Sequence, residues 1–383
     1  MESTSKVMSV LTTTDKKVLD TSSHYSLSID TNNSDDIFVD QNTYTDDPDP
    51  VSYEALYYFM LINMWGGGLP VSIFGVLTNL LNIFTFLKQG VQDTVNISLL
   101  ALAISDLCSQ IPLTFASIFI IPTFNMLDLP FACDDLLYLL VWIHVMFTRV
   151  TTLITAYITL ERCICVAAPL KVKNIFSPAR TLVCMVTVFA VMLALVSPML
   201  YTARLTWIFS PLRNATILGV TFIDNRNKIE TITFASSNLI PTVAFFLVIV
   251  CTVLLVVNLQ KKSQWRLQAS VSSSSSVMSS RDRKVVKMVT LISVIFVVCY
   301  FPGTAGFIWL IVDTEMRFDG KHRNLLYAVY SVLFNLESIN ASINLFIYLR
   351  LSSKFRSTFL KAFCRTGKSV TSSKTTKEEL VSK

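Results

Sequence analysis

Tyr157-Ile158-Thr159-Leu160-Glu161-Arg162-Cys163, followed shortly by Pro169-Leu170, ends an apolar run over residues 136–163 with an adjacent carboxylate and guanidinium. A run of that length crosses the ~30 Å hydrocarbon core of a bilayer as a helix, since about 20 residues at ~1.5 Å each suffice. A charged pair at its end belongs at the membrane rim, where water can satisfy it. Standing alone, the arginine reads better as a helix-end side chain snorkelling to lipid headgroups. The rest of the chain decides its meaning.

Comparable apolar runs cover residues 66–88, 95–121, 181–203, 234–259, 285–311 and 325–349, which makes seven spans in all. The composition agrees: 52% of the 383 residues are hydrophobic and only 15% charged, too apolar a balance for a water-soluble surface. A formal charge of +6 would suggest nucleic acid if the cations formed a stripe, but they fall in short segments between the runs. Lys171, Lys173 and Arg180 follow the third run, and Lys261, Lys262, Arg266, Arg281, Arg283, Lys284 and Lys287 follow the fifth. By the positive-inside rule these loops are cytoplasmic. The odd number of spans then places the N-terminus outside and the tail from Lys354 to Lys383 inside, as in a multi-pass protein of the plasma membrane.

This sets an all-α fold: a disordered extracellular tail over 1–55, a seven-transmembrane helix bundle over 56–350, an amphipathic helix over 351–364 and a cytoplasmic tail over 365–383. Phe355, Phe359, Leu360 and Phe363 recur at helical spacing in the amphipathic stretch, which is expected to lie on the inner leaflet. Cys364, just after it, is a candidate for palmitoylation. The serine tract Ser270–Ser280 and the tail's Ser369, Thr371, Ser372, Ser373, Thr375 and Thr376 offer phosphorylation sites or simply solvated linkers. The sequons Asn32-Asn33-Ser34 and Asn214-Ala215-Thr216 fall on the side assigned to the outside, so Asn32 and Asn214 are candidate glycosylation sites. The same pattern at Asn96 and Asn340 falls in or under the membrane.

Eight cysteines are present, most of them in or beside apolar helices, with no CxxC pair. His24, His144 and His322 are far apart, so no metal site and no cofactor is expected. Nothing pairs a nucleophile with a base or forms a cofactor loop, which argues against an enzyme.

Polar residues inside the runs narrow the class. The first run carries Gly75 and Asn79, and the second Leu102-Ala103-Ile104-Ser105-Asp106. The fifth carries Pro241, and the sixth Phe296 and Cys299-Tyr300-Phe301-Pro302. The seventh carries Asn340-Ala341-Ser342-Ile343-Asn344-Leu345-Phe346-Ile347-Tyr348. Together with Glu161-Arg162, this set resembles the rhodopsin-like (class A) G-protein-coupled receptors over residues 66–364, through their DRY, CWxP and NPxxY elements. Tyr300 stands for the tryptophan of CWxP, Leu345 for the proline of NPxxY, and Val188 for the usual tryptophan of the fourth helix. The stretches Lys88-Gln89-Gly90, Asp93-Thr94-Val95-Asn96-Ile97-Ser98 and Glu161-Arg162-Cys163-Ile164-Cys165 are similar to invertebrate chemosensory and FMRFamide-type neuropeptide receptors.

The resemblance implies a coupling switch at Glu161, Arg162, Asn344 and Tyr348, and an activation core of Pro241, Phe296, Tyr300 and Pro302. It further implies a polar pocket of Asp106, Thr151, Asn340 and Asn344, holding either a sodium ion or water. The partners it implies are a heterotrimeric G protein, with arrestin and a receptor kinase, besides membrane lipid. Relatives usually tie the third helix to the second extracellular loop by a disulfide, yet Tyr201–Thr233 contains no cysteine and Cys133 has no evident partner.

Ionisable groups deep in the outer half of the bundle mark a place for an extracellular peptide or small-molecule ligand. Arg149 lies about 20 Å along the third helix from Arg162 at ~1.5 Å per residue, and needs a counter-charge that Glu337 of the seventh span can supply. The pair is either a permanent structural ion pair or a ligand contact; without it, Arg149 would meet an acidic ligand directly. His144 sits where amine receptors of this family carry aspartate, which disfavours a monoamine. A transporter or channel using buried Asp106, Arg149 and Glu337 is the competing function, though such proteins more often show repeated halves with broken helices.

Overall fold

The computed structural model describes residues 50–121, 124, 127–168, 172, 174–210, 213–268, 280–313, 315 and 320–363, with backbone alone at 227, 262–268 and 280–282. The proposed Asn32 and Cys364 modifications, the serine tract before Ser280 and the phosphorylation sites of the tail lie outside these residues, as does the terminal tail up to 49.

Among the described residues, seven helices are long and apolar enough to cross a membrane: Tyr53–Gln89, Thr94–Phe119, Cys133–Ala167, Pro178–Thr202, Lys228–Lys261, Arg283–Val312 and Arg323–Leu351. The chain is a multi-pass membrane protein built as a seven-helix bundle. All seven sequence-based spans coincide with a helix, and the helices run past the apolar limits at most ends. The first gains the most, because Tyr53–Met60 is already helical and leads through a π-helical stretch, Leu61–Gly68, into Leu69–Gln89. Hydropathy marks where a helix leaves lipid, not where its hydrogen-bond ladder stops.

Local chemistry sets the ends. Gly90 closes the first span at φ 83°, a backbone region that side chains disfavour. Asp93 caps the second span by accepting from the Val95 N–H at 3.2 Å. Ser177 caps the fourth, with Pro178 at the first helical position where its missing N–H costs nothing. Burial orders the spans: 61% of the apolar window is buried in the second and seventh, but only 22% in the fourth, so the fourth sits at the bundle's edge. Leu182, Val183 and Val186 on that helix face outward, as lipid-facing side chains do.

The first, second and seventh spans are locked by amides. Asn79 donates to the carbonyls of Gly75 at 2.9 Å and Ala341 at 3.0 Å. This needs close approach: a Cβ on Gly75 would lie 2.7 Å from Ser342 Oγ and 3.0 Å from Gln110 Cγ. Gly75→Val is therefore expected to lower stability by about 1–3 kcal/mol through overpacking, read as an earlier thermal unfolding midpoint in detergent micelles. An unchanged midpoint would mean that this contact is slack.

A short helix, Ser353–Phe363, follows the seventh span. Phe355 is buried, its ring tilted against Phe86 (5.0 Å) and Tyr348 (5.3 Å), while Phe363 reaches Phe84 at 5.2 Å. The aromatic face thus grips the first span, leaving Leu360 and much of Phe363 outward.

The sequence reading of an all-helical chain missed one element. Between the fourth and fifth spans, strands β1 (Ala203–Ser210) and β2 (Ala215–Phe222) form an antiparallel hairpin, with Ala203 opposite Phe222 and Ser210 opposite Ala215. The exposed Asn214 sits at its tip with φ 46°, a conformation asparagine tolerates.

Candidate functional site

The hairpin is tied to the third span without a disulfide. Cys133 is a buried free thiol at the start of that span. Above it, β2 pairs with the segment before the helix: the Leu218 N–H donates to Pro130 O at 2.8 Å and the Ala132 N–H to Leu218 O at 2.9 Å. Asp135 accepts from the Val220 N–H at 2.9 Å, and Arg213 donates to Leu129 O at 2.8 Å. Gly219 makes room, since a Cβ there would fall 2.7 Å from the Asp135 carboxylate. Beside this strap, Glu230 accepts from the Tyr138 hydroxyl and from Arg226 Nε at 2.6 Å, while the Arg226 guanidinium lies 3.6 Å from the Phe222 ring centre. Hydrogen bonds and a cation–π contact thus hold the hairpin to the third span.

Below the strap lies a narrow polar site between the third, fifth, sixth and seventh spans. Glu337, buried on the seventh, receives two partners from the third: Arg149 Nη1 at 3.7 Å and His144 Nε2 at 3.2 Å. Arg149 and Glu337 do approach each other, and His144 joins them, so the carboxylate is shared. His144 Nδ1 faces the Ser109 carbonyl at 3.0 Å. Both ring nitrogens therefore face acceptors, and the chain of contacts is fully satisfied only with two protons on His144 or one on Glu337. Arg149 is loosely held: its Nε is buried without a hydrogen-bond partner. The adjoining cavity, about 30 Å³, is lined by Arg149, Thr152, Asn238, Tyr300, Tyr330 and Glu337 among others. It has room for about one water. Toward the hairpin, Trp142, Phe234 and Phe307 pack edge to face and close it off.

The floor of this site is the proposed activation core. Phe296 and Tyr300 stack at 4.3 Å, and Phe245 approaches Phe296 at 6.1 Å. Pro241 is buried in the fifth span opposite them, whereas Pro302 is exposed. Tyr300 thus touches both the aromatic floor and the cavity.

Deeper in the bundle, Asp106 accepts from Thr151 Oγ1 at 2.8 Å and from Asn344 Nδ2 at 3.0 Å. Thr151 also meets Ser105 at 2.9 Å. Asn340 is buried one turn from Asn344 but makes no hydrogen bond to Asp106, so three of the four expected residues come together directly. Each carboxylate oxygen has one neutral donor.

At the opposite end from the hairpin, Arg162 Nη2 donates to Glu161 Oε1 at 2.6 Å, and Thr94 Oγ1 donates to the same oxygen at 2.6 Å. Glu161 Oε2 and Arg162 Nε are buried without partners. Tyr348 lies near by, its ring against Phe86 and its hydroxyl also unpartnered. A cavity of about 810 Å³ opens here, lined by both Arg162 and Tyr348. The two cavities lie at opposite ends of one bundle, with Asp106 between them.

Seven spans, a buried Glu161–Arg162 ion pair at one end and a polar site at the other fit a membrane receptor of the serpentine class. The sequence model of the family described as "Serpentine type 7TM GPCR chemoreceptor Srw" matches residues 69–366, most of the chain. The chain belongs to this family. No curated protein matches it.

Proposed function

We propose that this chain is a chemoreceptor of the plasma membrane, with its N-terminus and hairpin outside, that detects small acidic molecules. The ligand enters beneath the hairpin, and the signal leaves at Arg162 toward a heterotrimeric G protein. The observation that carries the ligand class is Arg149, whose buried Nε has no partner and which faces the cavity beside a carboxylate it shares with His144. A guanidinium so placed has donors to spare for a carboxylate and is worth more there than in water. Membership in a chemoreceptor family favours a compact ligand over a peptide, and the cavity, which holds about one water as it stands, widens to admit it.

Transmission needs only differential contacts. An anion that draws Arg149 from Glu337 shifts the seventh span and the Tyr300–Phe296 stack, and frees Arg162 from Glu161 at the far end. The Glu161-Arg162 pair, the Asp106 cluster and Tyr348 support kinship with rhodopsin-like receptors. Cation-bearing loops beside Arg162 support a cytoplasmic location for that end.

The test is expression with G-protein biosensors and a panel of small carboxylic acids. A signal is expected that disappears in Arg162→Ala at equal surface expression. In Arg149→Gln the half-maximal concentration should rise by about 10- to 100-fold, the value of a charge-assisted hydrogen bond of ~1.5–3 kcal/mol. Responses confined to amines, or acid responses untouched by Arg149→Gln, would overturn the ligand assignment.

A further inference from the structure

The cavity at the Arg162 end has a chemistry of its own. Three of its lining residues carry buried donors without partners: Arg162 Nε, Tyr348 Oη and Gln89 Nε2. Arg162 is 7% exposed and Tyr348 1%, so these groups are shielded from bulk water. Unsatisfied buried donors each cost free energy, and three in one cavity mark a place made for acceptors. Two cations join them, Lys284 from the sixth span and Lys354 from the terminal helix. The opposing charge is largely engaged, since Asp93 caps the second span and Glu161 holds Arg162 through Oε1, and Glu161 is not among the lining residues. Ser352 and Ser353, also on the lining, stand at the N-terminus of the terminal helix, where backbone N–H groups and the helix dipole favour an anion.

We propose that this cavity is a phosphate-recognition site, filled by the phosphorylated headgroup of a membrane inositol lipid or by a soluble inositol phosphate. A phosphate carries acceptor oxygens for several donors at once and charge for both lysines. The volume, about 810 Å³, admits a sugar phosphate rather than a lone ion. Bound there, it bridges the sixth span to the terminal helix and holds Arg162 in its present place. This goes beyond the ligand site beneath the hairpin and does not depend on it.

The full chain in nanodiscs of phosphatidylcholine alone is titrated with a fluorescent inositol trisphosphate. Separately, nanodiscs containing a few mole per cent phosphatidylinositol bisphosphate are compared with plain ones by the receptor's thermal midpoint. Binding of the soluble probe assigns a soluble phosphate as sufficient; a midpoint rise without soluble binding assigns the lipid. In either case Lys284→Ala with Lys354→Ala is expected to weaken the effect about thirtyfold, each cation contributing roughly fivefold. Lys287→Ala removes a cation of the same helix that does not line the cavity, and is expected to change nothing. If the double variant does not fold, Lys354→Gln alone carries the test, with a loss of about fivefold. Absence of binding in both formats, or an equal loss in Lys287→Ala, overturns the site.

Discussion

Glu337→Ala is expected to lower the stability of the bundle by about 3–5 kcal/mol, the range for stranding a buried charge by deleting its partner. Glu337 is the one carboxylate within reach of both Arg149 and His144 among the described residues, and its removal leaves the Arg149 charge with no counter-charge and His144 with only the Ser109 carbonyl. Thermal unfolding of the purified protein would show the loss, and surface expression would fall with it. The compensating change is informative. Simple charge reversal, Arg149→Glu with Glu337→Arg, sets the new arginine against His144, so it fails for a reason unrelated to the pair. Arg149→Leu with Glu337→Leu removes both charges and leaves a neutral His144 donating from Nδ1 to the Ser109 carbonyl, with only its Nε2 acceptor unpartnered. That double variant is expected to lose less than Arg149→Leu and Glu337→Leu summed, with a coupling of about 1–3 kcal/mol across the cycle. Losses that simply add would show that the two residues act apart, and would weaken the case that an incoming anion competes with Glu337.

The same trio shows how far the sequence could be read. Arg149 and Glu337 were legible because an ionisable side chain inside an apolar run must find a partner, and few candidates exist. The sharing of Glu337 with His144 was not, since a histidine inside a helix is also an ordinary packing residue and its rotamer depends on a carbonyl of another helix. The seven spans were legible from length and hydropathy, but their ends were not. Glu230 and Arg226 read as loop residues because they are charged, yet they lie in the first turns of the fifth helix and clasp Tyr138. The hairpin escaped for a similar reason. Leu205, Trp207 and Phe209 alternate as a strand should, but their side chains are exposed, so no buried face reports the pattern. The strap that ties the hairpin down runs through backbone groups at Pro130, Ala132 and Leu218, which no side-chain motif announces.

Asp106 offers the second large effect and a choice between two fillings of its pocket. The carboxylate has two oxygens, each with one neutral donor, and an asparagine in its place presents one oxygen to two donors. Asp106→Asn should therefore lose one hydrogen bond and strand its partner, at about 1–3 kcal/mol. Asp106→Ala strands both Thr151 and Asn344 and leaves a void as well, so its thermal midpoint is expected to fall further. If the order of the two variants were reversed, the carboxylate itself would be the strained element, with its burial outweighing its hydrogen bonds. Two neutral donors are a thin compensation for a buried negative charge, and a cation among Asp106, Ser105 and Asn340 would complete it. A bound sodium ion stabilises the folded state by an amount that grows with its concentration over its dissociation constant. The wild-type midpoint is then expected to rise with sodium chloride relative to choline chloride, and the rise is expected to vanish in both Asp106 variants. Equal salt slopes in all three proteins would assign the pocket to water, leaving Asp106 as a hydrogen-bond hub that couples the second, third and seventh spans without an ion.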